Sequence, residues 1–213
     1  MLGVSGPPGQ LVKVDLVTRA LRADAARNRS LLLAAATEEF AAHGMDASVA
    51  DIARRAGIGK GTVFRHFPTK DDLLAAVVQD RVDSLAALAA ALCSRDDPGP
   101  ALFEFLAEAA GKQQQLDLSF LRDAGDINAR LRSSRERLFT AIVALVSRAQ
   151  AAGAVRADVT GLDVILMMCV PSHVVSFVPG ADPELWRRYL ALVIDGLRPE
   201  GAHPLDQPAP MGV

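Results

Sequence analysis

An all-α fold is what this sequence predicts, and three observations carry it. Ala and Leu dominate the 213 residues, while aromatics make up only 5%. Apolar positions recur at helical spacing along most of the chain, with no convincing period-two alternation of the kind that marks a half-buried strand. Gly and Pro gather at a few breaks, which leaves long helical segments between them. Half of the residues are apolar, enough for one sizeable core or for a small domain joined to a larger one.

Residues 1–20 begin rich in Gly, Pro and small side chains and are expected to form a loose, disordered arm. The first helix is expected from about Ala25 to His43, ending at Gly44; Leu32, Ala36 and Phe40 fall at i, i+4 and i+8 and make its buried stripe. A second helix starts after Ser48, whose hydroxyl can cap the free amides of the first turn, and ends at Gly57. Its inner face is Val49, Ile52, Ala53 and Ala56. A short third helix runs from about Lys60 to His66. Pro68 ends it, and Thr69 caps a fourth helix that reaches Cys93, with Asp71 and Asp72 at the positive end of its dipole. "SRDDPGP" (Ser94–Pro100) is a clear break. Further helices are expected at about 100–115, 117–128, 131–152, 160–178 and 182–197, with the glycine-marked turn "AAGAVRADVT" between two of them. The tail "RPEGAHPLDQPAPMGV" is Pro-rich and is expected to be disordered over 199–213.

The net charge of -2 hides an asymmetry. Residues 1–70 carry ten Lys/Arg against six Asp/Glu, or +4, while residues 71–213 carry thirteen against nineteen, or -6. A basic front on an acidic body suggests an anionic partner at one end. Cys93 and Cys169 are the only cysteines, which is no disulfide framework, so a reducing compartment is expected. The N-terminus is a poor signal peptide, and no apolar run reaches the ~18 residues of a spanning helix. A soluble cytoplasmic protein with no membrane partner is therefore expected.

The segment "DIARRAGIGKGTVFRHFPTKDDL", Asp51 to Leu73, is dense in Arg and Lys and has no acid between Asp51 and Asp71. Ala53 is small where two helices must cross closely. Gly57, four residues later, sits where the turn needs a left-handed backbone. Ile52, Ile58 and Val63 supply the apolar contacts. This is the sequence shape of a helix-turn-helix, whose second helix lies in the DNA major groove. Lys60, Thr62, Phe64, Arg65 and His66 are its outward residues, and Gly59 and Gly61 remove side chains where the backbone can approach a phosphate. Lys70 and the amides opening the fourth helix offer a second phosphate site. Arg27 and Arg29 stand at the front of the first helix, and Arg54 and Arg55 are expected on the outer side of the second. The expected division is thus an arm over 1–20, a DNA-binding domain over 21–70, a helical ligand-binding and dimerisation domain over 71–198, and the tail.

The stretch "LLLAAATEEFAAHGMDASVADIARRAGIGKGTVFRHFPTKDDLLAAVV" resembles the DNA-binding domain of the TetR family of transcriptional regulators. The family's "G-T-hydrophobe-aromatic-x-H-F-x-x-K" stands here as Gly61, Thr62, Val63, Phe64, Arg65, His66, Phe67 and Lys70. One position departs: the family often has Tyr where this chain has Phe64, which lacks the hydroxyl that can bond a phosphate. The resemblance implies a homodimer on a near-palindromic, double-stranded DNA operator, usually a repressor released by a small ligand. "NARLRSSRERLFTAIVALVSRAQAAGAVRADVTGLDVILMM" and "RRYLALVIDGLRP" resemble the C-terminal domain of the SbtR-like branch. They imply a ligand cavity among the middle helices and dimerisation through the last two.

The residues agree in part. Gly161–Val178 is apolar on nearly all sides, so it is either core or interface. The last helix has a broad apolar face. Val174, Trp186, Tyr189, Leu192 and Val193 are the interface candidates, because this DNA-reading motif works on two half-sites. Phe103, Leu106, Phe120, Met167, Met168 and His173 are the pocket candidates, with Phe105, Leu121 and Phe139 beside them; ordinary core packing is the alternative for each. The four histidines show no metal-ligand spacing with one another or with the cysteines, and there is neither a phosphate-cradling loop nor a nucleophile elbow. No metal, cofactor or catalytic residue is expected. Two function classes remain: a ligand-released dimeric repressor, and a DNA-binding regulator controlled by protein interaction without a small-molecule inducer.

Overall fold

The computed structural model describes residues 8–115, 129–175 and 177–209, with side chains from residue 23 onward except at 115, 172 and 174. Every regular element among the described residues is helical. Helix α1 spans Pro8–His43, followed by a 3-10 turn at Gly44–Asp46, α2 at Val49–Ala56, α3 at Lys60–His66 and α4 at Lys70–Leu92. Then come α5 at Pro98–Gln115, α6 at Arg132–Ala151, α7 at Gly161–Val175 and α8 at Trp186–Leu197. The helix expected at 117–128, and Phe120 and Leu121 with it, lie outside the described residues. The chain divides into two compact units, Met1–Leu74 and Ala75–Val213, so the division falls inside α4, four residues beyond the expected boundary.

The expected loose arm over 1–20 is overturned from Pro8 onward, because α1 begins there. The Gly and Pro residues that suggested a loose arm end at Gly9. Proline suits the first turn of a helix, where its missing N–H is no loss, and the Val, Leu, Ala and Arg after it continue the helix at little cost.

In the first unit α1 packs on α2, and α2 on α3. Leu32, Ala36 and Phe40 are fully buried, as the i, i+4, i+8 stripe predicts, and meet a core that includes Ile52, Ala53, Val63 and Phe67. Thr69 and Asp72 cap α4 reciprocally: the Thr69 N–H donates to Asp72 Oδ2 at 3.0 Å and the Asp72 N–H to Thr69 Oγ1 at 3.1 Å.

In the second unit α5 packs against α6, α7 and α8, and α7 against both α6 and α8. Leu102, Phe105, Ile142, Val164 and Leu197 are fully buried there, and Leu85, Ala89 and Leu92 of α4 join the same core. Polar bridges fix α4 in this unit. Arg137 donates to Asp83 at 2.6 Å and Arg81 to Gln113 at 2.8 Å. A Cβ at Gly161 would stand 2.7 Å from Val143 Cγ2, so glycine is what lets α7 start hard against α6. Thr160 and Asp163 cap α7 as Thr69 and Asp72 cap α4. Helix α8 starts later than the expected 182, because the Asp182 carboxylate takes the Glu184 N–H at 2.8 Å and holds a turn there. The expected disordered tail is corrected at its root. Arg156, held by Asp158 at 2.6 Å and 2.8 Å, donates to the His203 carbonyl at 2.5 Å and ties the backbone down.

Candidate DNA interface

The turn between α2 and α3 is built from three local devices. Ser48 Oγ accepts the Ala50 N–H at 3.1 Å and opens α2. Gly57 closes it at φ +66°, a left-handed conformation that costs glycine nothing. The Ile58 N–H then reaches back to the Ala53 carbonyl at 2.9 Å, while the Gly57 N–H bonds the Arg54 carbonyl at 3.1 Å. Gly59 opens α3, accepting the Thr62 N–H at 2.8 Å. Val63 is buried and pins the helix inward. Lys60, Gly61, Phe64 and Arg65 are exposed, while Thr62 and His66 are half-buried at the flanks.

Phe64 is 41% exposed, a large apolar ring left in water, and the Lys60 ammonium lies 5.9 Å from its centroid. A Cβ built on Gly59 or Gly61 meets nothing within 4 Å, and neither residue has a positive φ. The protein's own packing does not require glycine at either position. Arg27 and Arg29 are exposed on α1, and the Arg29 guanidinium sits 5.9 Å from the Phe67 centroid, which keeps it beside the end of α3.

Three of the expected roles change. Arg55 does not lie on the outer side of α2. It donates to Glu39 at 2.8 Å and to Glu38 at 2.7 Å on α1, and these bonds, that to Glu39 first, raise its pKa above the ordinary guanidinium value. Arg54 does face outward but is paired with Asp51 at 2.7 Å. The Lys70 ammonium donates to the Met45 carbonyl, so one of its three protons already serves the fold. The Glu38–Glu39 pair was not among the residues the sequence singled out, and only the facing of α1 and α2 reveals its use.

In the second unit, Leu106 is fully buried, Met168 is 9% exposed, and Phe103 and Met167 are half-buried against the same core. The Arg198 guanidinium lies 5.0 Å from the Phe103 ring. His173 is exposed, its ring meeting Phe177 edge-on at 5.2 Å. The core alternative holds for Phe103, Leu106, Met167 and Met168. Phe139 instead lines a hollow of about 250 Å³ between α6 and the start of α7. A second, larger groove of about 710 Å³ runs between α4 and α6 and holds none of the pocket candidates, because they pack on the other side of α6 or on α5 and α7.

Among the interface candidates, Trp186 is corrected. It is 4% exposed and packs toward Gly111 of α5, so its indole belongs to the unit's own core. Leu192 is 58% exposed, and Tyr189 and Val193 are half-buried. The side chain of Val174 lies outside the described residues. Leu166 and Val170 of α7, which the sequence did not single out, are 55% and 41% exposed. Among the described residues no group of three metal-ligating side chains forms, and no helix is long and apolar enough to cross a membrane.

A helix-turn-helix head with an exposed basic reading helix, carried on a separate all-helical body, defines a DNA-binding regulator. Residues 32–77 match the family model for bacterial regulatory proteins of the tetR family, and residues 97–199 match that for the C-terminal domain of SbtR-like transcriptional regulators. The crystal structure of a TetR transcription regulatory protein from Mycobacterium vanbaalenii is 35% identical over 84% of this chain and 99% of its own, with a TM-score of 0.65. A TetR transcriptional regulator from Streptomyces coelicolor is 31% identical over 80% of this chain and 98% of its own, also at 0.65. A third structure, solved for the molecular basis of control of antibiotic production by bacterial hormones, is 28% identical over 80% and 97%, at 0.56. The chain belongs to the TetR family of transcriptional regulators, which are DNA-binding transcription factors and not enzymes.

Proposed function

We propose that the protein is a homodimeric repressor that leaves a near-palindromic operator when a small molecule binds its helical body. The observation that carries the DNA half is the bare face of α3. Gly59 and Gly61 stand open with no internal reason to be glycine, beside exposed Lys60, Phe64 and Arg65. A surface without Cβ atoms, flanked by cations, suits close approach of a phosphate backbone. Phe64, lacking a hydroxyl, offers van der Waals contact to a sugar or a thymine methyl. Leu166, Val170 and Leu192 support a second copy, since exposed apolar side chains on neighbouring helices mark an association surface. Two heads then meet two half-sites. The relative studied for hormone control of antibiotic production supports a small-molecule effector, as does the roomy groove between α4 and α6. Selection of random duplex DNA by the purified protein tests the reading. An inverted repeat with half-sites about one or two helical turns apart is expected. Recovery of single, unpaired sites would sink the dimeric operator model.

A further inference from the structure

The groove between α4 and α6 encloses about 710 Å³, within the range of ~300–1,000 Å³ typical of small-molecule pockets. Its floor is made of small side chains, Ala90 from α4 and Ala141 and Ala144 from α6, with the half-buried Cys93 beside them. The space exists because these positions hold small residues; leucines there would fill it. Two charged side chains line it, Glu136 and Arg137, and they are not equivalent. Arg137 lies 2.6 Å from Asp83 Oδ1 and 3.1 Å from Ser134 Oγ, so its charge is matched within the protein. Glu136 has no ion-pair partner among the described residues. Arg132 and Arg135, on neighbouring turns, do not line the groove. The groove therefore sets one uncompensated carboxylate beside an alanine floor.

We propose that this groove binds an apolar monocation, an amine or onium compound, and that such a cation is the effector of the repressor proposed above, a reading on which this assignment of role rests. The apolar body covers the alanine floor while the positive centre pairs with Glu136. An anion of the same shape would cover the floor equally well but would meet the Glu136 charge with its own. The groove wall on α4 lies two turns from Asp83, whose bridge to Arg137 joins the same two helices. A molecule seated between them bears directly on how α4 is held in the body.

Tetraphenylphosphonium and tetraphenylborate, alike in shape and opposite in charge, test this by calorimetry on the full chain at fixed ionic strength. The phosphonium is expected to bind the more tightly, and Glu136→Gln to weaken it about fivefold, the ratio that about 1 kcal/mol of ion pairing gives. Ala90→Leu and Ala144→Leu, at exposed helical positions where leucine is tolerated, are expected to abolish phosphonium binding with helicity unchanged. Equal affinity for the two ions, or indifference to both leucine variants, overturns the groove assignment. Operator release is measured in parallel. Phosphonium that fills the groove yet leaves operator affinity unchanged keeps the cation site and sinks the ligand-released repressor. Release by some other ligand, with no phosphonium binding, sinks the cation site and leaves the repressor standing.

Discussion

Arg55 donates its Nε–H to Glu39 Oε1 at 2.8 Å and so joins α2 to α1 two residues before the left-handed turn at Gly57. Glu39 is 5% exposed, and its other carboxylate oxygen lies 3.2 Å from His43 Nδ1. A buried carboxylate is tolerated when it is paired and hydrogen-bonded, and Arg55 supplies both. The bond thereby sets the angle at which α2, and α3 after it, leaves α1. Arg55→Ala is expected to lower the thermal midpoint of the protein and to weaken DNA binding with it. Arg54→Ala, which breaks an exposed pair with Asp51, is expected to leave the midpoint nearly unchanged. Equal midpoints for the two variants in a calorimetric scan would show that the Glu39 link does not hold the head.

Gly61→Ala separates folding from function. The added methyl meets no protein atom within 4 Å and sits in a helix, where alanine is favoured over glycine by about 1 kcal/mol. The variant is expected to be at least as stable as the parent and to bind operator more weakly, read by melting and by fluorescence anisotropy. Undiminished binding would remove Gly61 from the approach surface.

Salt dependence distinguishes the lysines. Lys60 is exposed beside Phe64, whereas Lys70 also serves the Met45 carbonyl. Lys60→Ala is expected to reduce the slope of log K against log[salt] by about 0.9, one phosphate contact, with the thermal midpoint kept. Lys70→Ala should reduce the slope similarly and lower the midpoint too. A Lys60 variant with the parent's slope would take Lys60 off the phosphate backbone.

The tail clasp has a pH dependence of known sign. Hydrogen bonding from Arg156 holds the Asp158 carboxyl below its ordinary value. A carboxyl depressed in the folded state contributes stability that is fully present above its unfolded value, about 3.9, and is lost as pH falls through the lower folded value. Hydrogen exchange of the 199–209 segment, corrected for intrinsic rates, is expected to show protection near neutral pH and its loss in that acid window. Asp158→Asn should remove the protection at neutral pH. Protection that survives in the Asn variant would assign the tail's attachment to other contacts.

The head was legible in the sequence because its geometry is decided by neighbours. Ser48, Gly57, Thr69 and the Leu32–Ala36–Phe40 stripe each act within a few residues, so spacing alone exposes them. Arg55 escaped because its partners lie sixteen and seventeen residues away, on another helix. The body was less legible for the same reason. Whether Phe103, Met168 or Trp186 faces a cavity, a partner or the core depends on how five helices converge, and helical spacing does not carry that information. Composition also misled at the start, where a short Gly/Pro cluster before Gln10 made a helix look like an arm.

The interface prediction turns on the difference between Leu192 and Val193. Leu192 is 58% exposed within one chain, so a charge placed there costs the isolated chain almost nothing, while Val193 packs against the unit's core and a charge there damages the fold itself. In a dimer built on α7 and α8, Leu192 of each copy is covered, and Leu192→Glu buries a carboxylate with no partner, at a cost on the order of several kcal/mol. Sedimentation at micromolar concentration is expected to show monomer, with helicity and thermal unfolding of the single chain retained and operator affinity lost, because one head reaches only one half-site. Leu166→Glu, on the neighbouring exposed face of α7, is expected to act in the same direction. A Leu192 variant that sediments as a dimer and binds operator normally would place the association surface elsewhere on the body.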